Sequence, residues 1–342
     1  MKKLYVSAAA IVLATAVCVS LGFSYEVPDD EKQQGLTGVY DVADSGAVGY
    51  VTYEDGKPTI YVKADKETQA AQLPADQSIS DIVMLPGGKK LFYVSTDKTM
   101  TDGSGSIVHE VDIMEGTDVV LFEEDAIITE LAMDEGEPNR LFYLQAGVYT
   151  NYSPVAAEYP HEFDIFTYDI AKKKHHRLTE LQKYSMASLQ VSGIEQAVYV
   201  QMDNDLESTT PEELYEANQR IFQIPLDRPD QPKIIFMPME TGDLYDFALI
   251  PDHTTLIYQA VAGTNDRGIY EYELFGYNWG TMQTERLTFQ KEHAARPVYG
   301  ADQKLYYMVD YNFAGRQPDY TLFRMELNGS ETEQVPLRGA AD

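Results

Sequence analysis

Carboxylates are the most abundant chemistry-bearing groups in this chain. Asp and Glu total 55 against 26 Lys and Arg, for a formal net charge of −29 in 342 residues. Asp81, Glu130, Asp246 and Arg296 each open a short apolar run. If the chain runs a reaction, carboxylates so placed would supply the acid and base of a hydrolase or lyase. The six histidines are scattered, and only His175 and His176 are adjacent. Asp203, Asn204, Asp205 and Glu207 offer oxygen ligands of the kind calcium takes, without the glycine and distal glutamate of an EF-hand loop. No cofactor is expected, and calcium is the one ion those oxygens would suit. Cys18 is the single cysteine, so the body has neither disulfides nor a thiolate metal site.

The charge excludes whole classes of partner. A surface this acidic repels phosphate backbones and anionic headgroups, so neither nucleic acid nor a lipid surface is expected to bind the body. Membrane contact is expected only through the N-terminus. There, Lys2 and Lys3 precede an apolar stretch from Leu4 to Phe23 and a polar exit beginning at Ser24. That order describes an export segment, residues 1–24, followed by a polar linker at 25–37. About 20 apolar residues suffice to span a bilayer as a single-pass anchor, and cleavage near Gly22 or Ser24 would release the body instead. Val17 before Cys18 fits poorly with lipid modification. Each outcome places the body outside the cytoplasm.

The elements that position these residues follow from an internal repeat. Tyr50, Tyr93, Tyr143, Tyr199, Tyr258 and Tyr307 each sit in a short apolar run, as in Lys90-Leu91-Phe92-Tyr93-Val94-Ser95, at intervals of 43 to 59 residues. Before each comes another apolar strand and usually a tight polar turn; after each, a third strand and often a fourth, more polar one. Inner strands apolar on both faces and polar outer strands describe sheets packed between two neighbours. The expected fold is therefore all-β, a six-bladed β-propeller of four-stranded antiparallel blades. Blades fall at about 38–79, 80–128, 129–185, 186–244, 245–294 and 295–338, with a short tail at 339–342.

Leu85-Pro86-Gly87-Gly88 followed by Leu91-Phe92-Tyr93, and Ile165-Phe166-Thr167-Tyr168-Asp169-Ile170 followed by Arg177-Leu178-Thr179, resemble the TolB-like (PD40, WD40-like) propeller repeat. Ile269-Tyr270-Glu271-Tyr272-Glu273-Leu274 with Arg286-Leu287-Thr288 matches it again. The resemblance covers about residues 38 to 337 and implies the fold more than a function. The blade-four turn departs furthest, and the complete Ser-Pro-Asp-Gly turn is absent. The N-terminal domain that accompanies the propeller in TolB, the translocation protein, is not recognised in this sequence, so the resemblance does not imply a role in translocation. No Gly-x-Ser-x-Gly elbow is present.

In such a ring Asp81, Glu130, Asp246 and Arg296 are expected at the channel mouth. Long connections between second and third strands are expected at Val148–Glu162, Asp205–Gln219 and Tyr311–Asp319. Thr210-Pro211-Glu212-Glu213 reads as a capping box opening a short helix in the second of these. Tyr149, Tyr152, Tyr159, Tyr215, Tyr311 and Phe313, with Arg316, lie on these connections and are the expected binding residues. The basic run Lys172–Arg177 is expected as a turn on the opposite face. The sequence thus points to a non-catalytic, monomeric scaffold that binds an envelope protein or glycan. The runner-up is a hydrolase or lyase built on the channel-mouth carboxylates.

Overall fold

The structure, a computed structural model, describes Thr15 and residues 32–340 apart from 102, 135, 152–157, 206–209, 211–216, 237–241 and 252–254. Among these, 24 strands form six antiparallel quartets. The first holds β1 (Gly35–Val42), β2 (Val48–Glu54), β3 (Lys57–Lys63) and β4 (Glu67–Gln72). The second holds β5 (Gln77–Met84), β6 (Lys90–Asp97), β7 (Ser106–Asp112) and β8 (Thr117–Glu124). The third holds β9 (Ile128–Met133), β10 (Arg140–Asn151), β11 (Glu158–Asp169) and β12 (Lys174–Arg177). The fourth holds β13 (Met186–Ser192), β14 (Ala197–Asp203), β15 (Gln219–Pro225) and β16 (Lys233–Phe236). The fifth holds β17 (Tyr245–Leu249), β18 (Thr255–Thr264), β19 (Tyr270–Asn278) and β20 (Gln283–Arg286). The sixth holds β21 (His293–Tyr299), β22 (Lys304–Asp310), β23 (Tyr320–Glu326) and β24 (Glu333–Gln334).

The sheets take a propeller arrangement. Each first strand packs on the next, in the order β1, β5, β9, β13, β17, β21, and β21 returns to β1. The expectation of six separate blades needs correction. Only the first four quartets are separate four-stranded sheets. The fifth and sixth form one eight-stranded sheet, because Tyr272 on β19 pairs in parallel with His293 on β21.

The repeated tyrosines explain why the quartets pack. All six are buried, at 0 to 4% exposure. Five stack on the residue directly across the ladder: Tyr50 on Tyr61, Tyr93 on His109, Tyr143 on Phe166, Tyr258 on Phe275 and Tyr307 on Phe323. Cross-strand aromatic pairs of this kind stabilise a sheet beyond their buried area. A buried phenol still needs a partner for its hydroxyl. Tyr50 donates to Glu67 at 2.5 Å and Tyr93 to Asp118 at 2.7 Å, both on outermost strands, while Gln223 donates to Tyr199 at 2.7 Å.

The Arg-Leu-Thr motif also has a structural role. Arg177 donates to the buried Asp164 at 2.6 Å, and Thr179 donates to the same carboxylate at 2.7 Å while accepting the Ile165 N–H at 3.0 Å. Arg286 and Thr288 repeat this around Glu273 and Leu274 at 2.8 Å each. The motif therefore pins the chain as it leaves the outermost strand. Lys174 to Arg177, expected within a turn, instead form β12 itself.

The ring closes through the C-terminal segment. Leu337 is buried among Leu36, Tyr40, Tyr50 and Tyr61 of the first quartet and Tyr306 and Leu322 of the sixth. The Arg338 N–H donates to the Tyr50 hydroxyl at 3.1 Å, and Lys63 donates to the Pro336 carbonyl. Two expected boundaries move accordingly. The first strand begins at Gly35, inside the expected linker, and Gly339 of the expected tail lies against Gly35 and Thr52. No helix among the described residues is long and apolar enough to cross a membrane, and the N-terminal apolar stretch lies outside them except for Thr15.

Candidate functional site

Two places gather the expected residues: the ring axis, and the face carrying the β2–β3-type connections.

At the axis, a β-bulge interrupts the pairing of every first strand with its second. A bulge re-aims the side chains beside it. Gly38, Ser188 and Arg296, on the bulges of the first, fourth and sixth quartets, have φ of 80°, 58° and 53°. Bulges and polar side chains together tie each quartet to the next. Asp41 accepts the Met84 N–H at 2.7 Å, and Asp81 accepts the Leu131 N–H at 2.8 Å. Glu130 accepts the Ser188 and Leu189 N–H groups at 3.0 and 2.7 Å. Gln190 accepts the Leu249 N–H at 3.0 Å, and Asp246 accepts the Arg296 N–H at 3.0 Å. The last seam is closed by Arg296, whose guanidinium donates to the Gly38 carbonyl at 3.3 Å and whose own carbonyl accepts the Tyr40 hydroxyl at 2.5 Å. Every junction in the circuit carries such a bond.

The electrostatics follow from this crowding. Burial first, then the like charge of Glu130, pushes Asp81 up to about 8, against the Leu131 N–H and Arg296. Burial also raises Glu130, opposed by the Leu189 and Ser188 amides. Burial works against the Arg296 charge, but Asp246 and Asp81 outweigh it and hold Arg296 above its usual value. Asp81, Glu130, Asp246 and Arg296 therefore do converge, and their oxygens and nitrogens serve as inter-sheet bonds. Asp41, Gln190 and Tyr40 belong to the same circuit and were not singled out from the sequence.

On the loop face, Tyr149 is half-buried against the core shared by the third and fourth quartets. Tyr159 is 51% exposed. The expected blade-three loop is largely a hairpin extension, since β10 runs to Asn151 and β11 starts at Glu158. Tyr152, Tyr215 and residues 211–216 of the expected helix lie outside the described residues, and Ala217 and Asn218, where that helix was expected to end, are not helical. Asp205 pairs with Lys183, and Asp203 accepts from Gln219, so two of the expected calcium ligands serve other groups; Glu207 lies outside the described residues. No grouping of three His, Cys, Asp or Glu that could hold a metal occurs among the described residues.

Tyr311, Phe313 and Arg316 lie exposed on the connection between β22 and β23. The buried Asp310 closes this connection by accepting the N–H groups of Asn312 at 2.9 Å and Asp319 at 2.8 Å. Phe313 stacks on His293 with centroids 4.1 Å apart and planes at 5°. Tyr272 meets His293, Phe313, Tyr245 and Tyr270 edge to face, at 4.9, 5.4, 5.5 and 6.5 Å. The result is one aromatic patch across the junction of the fifth and sixth quartets. Tyr245, Tyr270, Tyr272 and His293 were missed from the sequence; the signal was Tyr270 and Tyr272 two apart on one strand, hence on one face.

A cavity of about 390 Å³ lies at the ring seam beside Lys63, Asp65, Tyr306 and Arg324. Its cations are already engaged: Lys63 by the Pro336 carbonyl and Arg324 by Glu333 at 2.6 Å.

No family model matches the chain, and no curated protein matches it. Solved structures share its fold. TolB from Acinetobacter baumannii is 12% identical, with a TM-score of 0.57 over 94% of this chain and 67% of that one. An oligogalacturonate lyase in complex with manganese is 12% identical, with a TM-score of 0.56 over 89% and 77%. A chain of a nidogen/laminin complex is 10% identical, with a TM-score of 0.55 over 89% and 92%. At such identities the likeness concerns architecture, not activity. The protein has the β-propeller fold of TolB-like proteins.

Proposed function

We propose that the chain is an extracytoplasmic, six-bladed propeller that binds an envelope protein or glycan without catalysis. The eight-stranded sheet counts as two blades, because a single residue pair bridges two complete antiparallel quartets. The Lys2/Lys3 start and the apolar stretch after it support export, by anchor or cleaved signal. The observation that carries the binding reading is the division of labour between axis and face. The axial carboxylates are engaged in joining sheets, whereas Tyr270, Tyr311 and Phe313 keep 58, 42 and 46% of their surface exposed at the junction of the fifth and sixth quartets. Exposed aromatics held in place are what recognition surfaces use.

One observation favours the enzymatic reading. A carboxyl pushed up to about 8 by burial, as that of Asp81 is, is suited to general-acid work. Its engagement by Leu131 weighs against that role. Affinity capture from envelope extract with the full-length protein, in wild-type and Tyr311→Ala/Phe313→Ala forms, tests the binding reading. Loss of a captured partner from the double variant, with folding intact, is the expected result. Retention of every partner overturns it.

A further inference from the structure

We propose that the aromatic patch at the junction of the fifth and sixth quartets takes a basic protein segment, seating Arg or Lys cations over the faces of Tyr270 and Phe313. This rests on the binding-face reading above and names the chemistry of the partner. Tyr272 sits at the centre, with the edges or faces of Tyr245, Tyr270, His293 and Phe313 packed around it. His293 covers one face of Phe313, and Tyr272 meets Phe313 and Tyr270 edge to face, so each ring is braced on one side before any partner arrives. Fixed rings lose little freedom on binding.

Charge selects the occupant. Asp243 accepts from the Tyr245 hydroxyl at 3.3 Å and acts on Tyr272. Glu292 and Asp319 act on Tyr311, and Asp246 and Asp310 act on His293, with Arg296 opposing them there. Burial keeps His293 below its usual value, so it stays neutral near pH 7 and adds no positive charge. Arg267 and Arg316 stand on the adjoining turns, but the whole chain carries −29. A cation is drawn both to a ring face and to such a field, whereas a polyanionic glycan is repelled by it. The protein uses the same contact internally: Arg286 lies over Phe289 at 4.7 Å, Lys98 over Tyr53 at 4.6 Å and Arg338 over Tyr61 at 4.9 Å.

The test is fluorescence anisotropy of a labelled Arg/Gly-repeat peptide with the full-length protein, beside a Glu/Gly peptide of equal length and chitohexaose. The variants Tyr270→Ala and Phe313→Ala remove ring faces and no charge, which separates the site from the general field. Each is expected to weaken the Arg/Gly peptide about tenfold. Val119→Ala, on the far edge strand β8, should leave it unchanged, and thermal melts confirm that all variants fold. Equal binding by wild type and both patch variants overturns the proposal, because the attraction is then that of the whole surface. Loss of chitohexaose, with the peptide unaffected, overturns it in favour of a sugar. Either result leaves the binding-face reading standing, since that reading fails only if captured partners ignore Tyr311 and Phe313.

Discussion

Leu131 donates its backbone N–H to Asp81 at 2.8 Å, so a carboxyl on the second quartet holds the first strand of the third. Asp81 is pushed up to about 8, far above an exposed aspartate, chiefly by burial. An acid whose folded value is raised binds more protons folded than unfolded. Its contribution is full below the unfolded value, near 4, and is lost as pH rises through about 8. Asp81→Asn keeps an oxygen for Leu131 and removes the titration. Thermal melts from pH 4 to pH 9 should show wild type losing stability relative to Asp81→Asn as pH rises. Parallel profiles would contradict the assignment.

The buried acids behind the Arg-Leu-Thr motif make a second prediction. Glu273 is fully buried and depends on Arg286 for its only side-chain ion pair among the described residues. Arg286→Ala strands that carboxylate and should cost about 3–5 kcal/mol. The double variant Arg286→Met/Glu273→Leu should recover most of the loss. Denaturant melts of the two singles and the double close the cycle; an additive result would mean the pair is not coupled.

Ring closure gives the third. Leu337→Ala empties a site shared by the first and sixth quartets and should cost about 2–4 kcal/mol. Arg338→Ala, whose side chain is 57% exposed, should change stability little. If the two variants melt alike, the C-terminal segment is not the closing element.

The loop carrying Phe313 gives the fourth. Asp310→Ala removes the acceptor for two backbone N–H groups and leaves them without it. Hydrogen exchange at Asn312 and Asp319 should accelerate at least tenfold, with β23 unaffected. Unchanged protection would show that Asp310 does not hold the loop.

The fold was legible because its rule is local. A tyrosine such as Tyr93 must stand in an apolar run to be buried from both sides, and that run is written in neighbouring residues. The joining of the last two quartets was not legible, since the Tyr272–His293 bridge adds one pair and changes no pattern. Asp81 and Glu130 could be placed near the axis, but their partners are backbone amides 50 or more residues away, which side-chain identity does not encode. The patch was half legible. Phe313 stood out as an aromatic on a long connection, whereas Tyr270 and Tyr272 read as ordinary strand residues until β19 met β21.

On the binding reading proposed above, the axis builds the ring and the aromatic face does the binding. Parallel affinity capture from envelope extract, with wild type, Asp81→Asn and Tyr311→Ala/Phe313→Ala, tests it most directly. Asp81→Asn is expected to retain the wild-type partner and the double variant to lose it. A partner lost with Asp81→Asn but kept by the double variant would place binding at the axis instead.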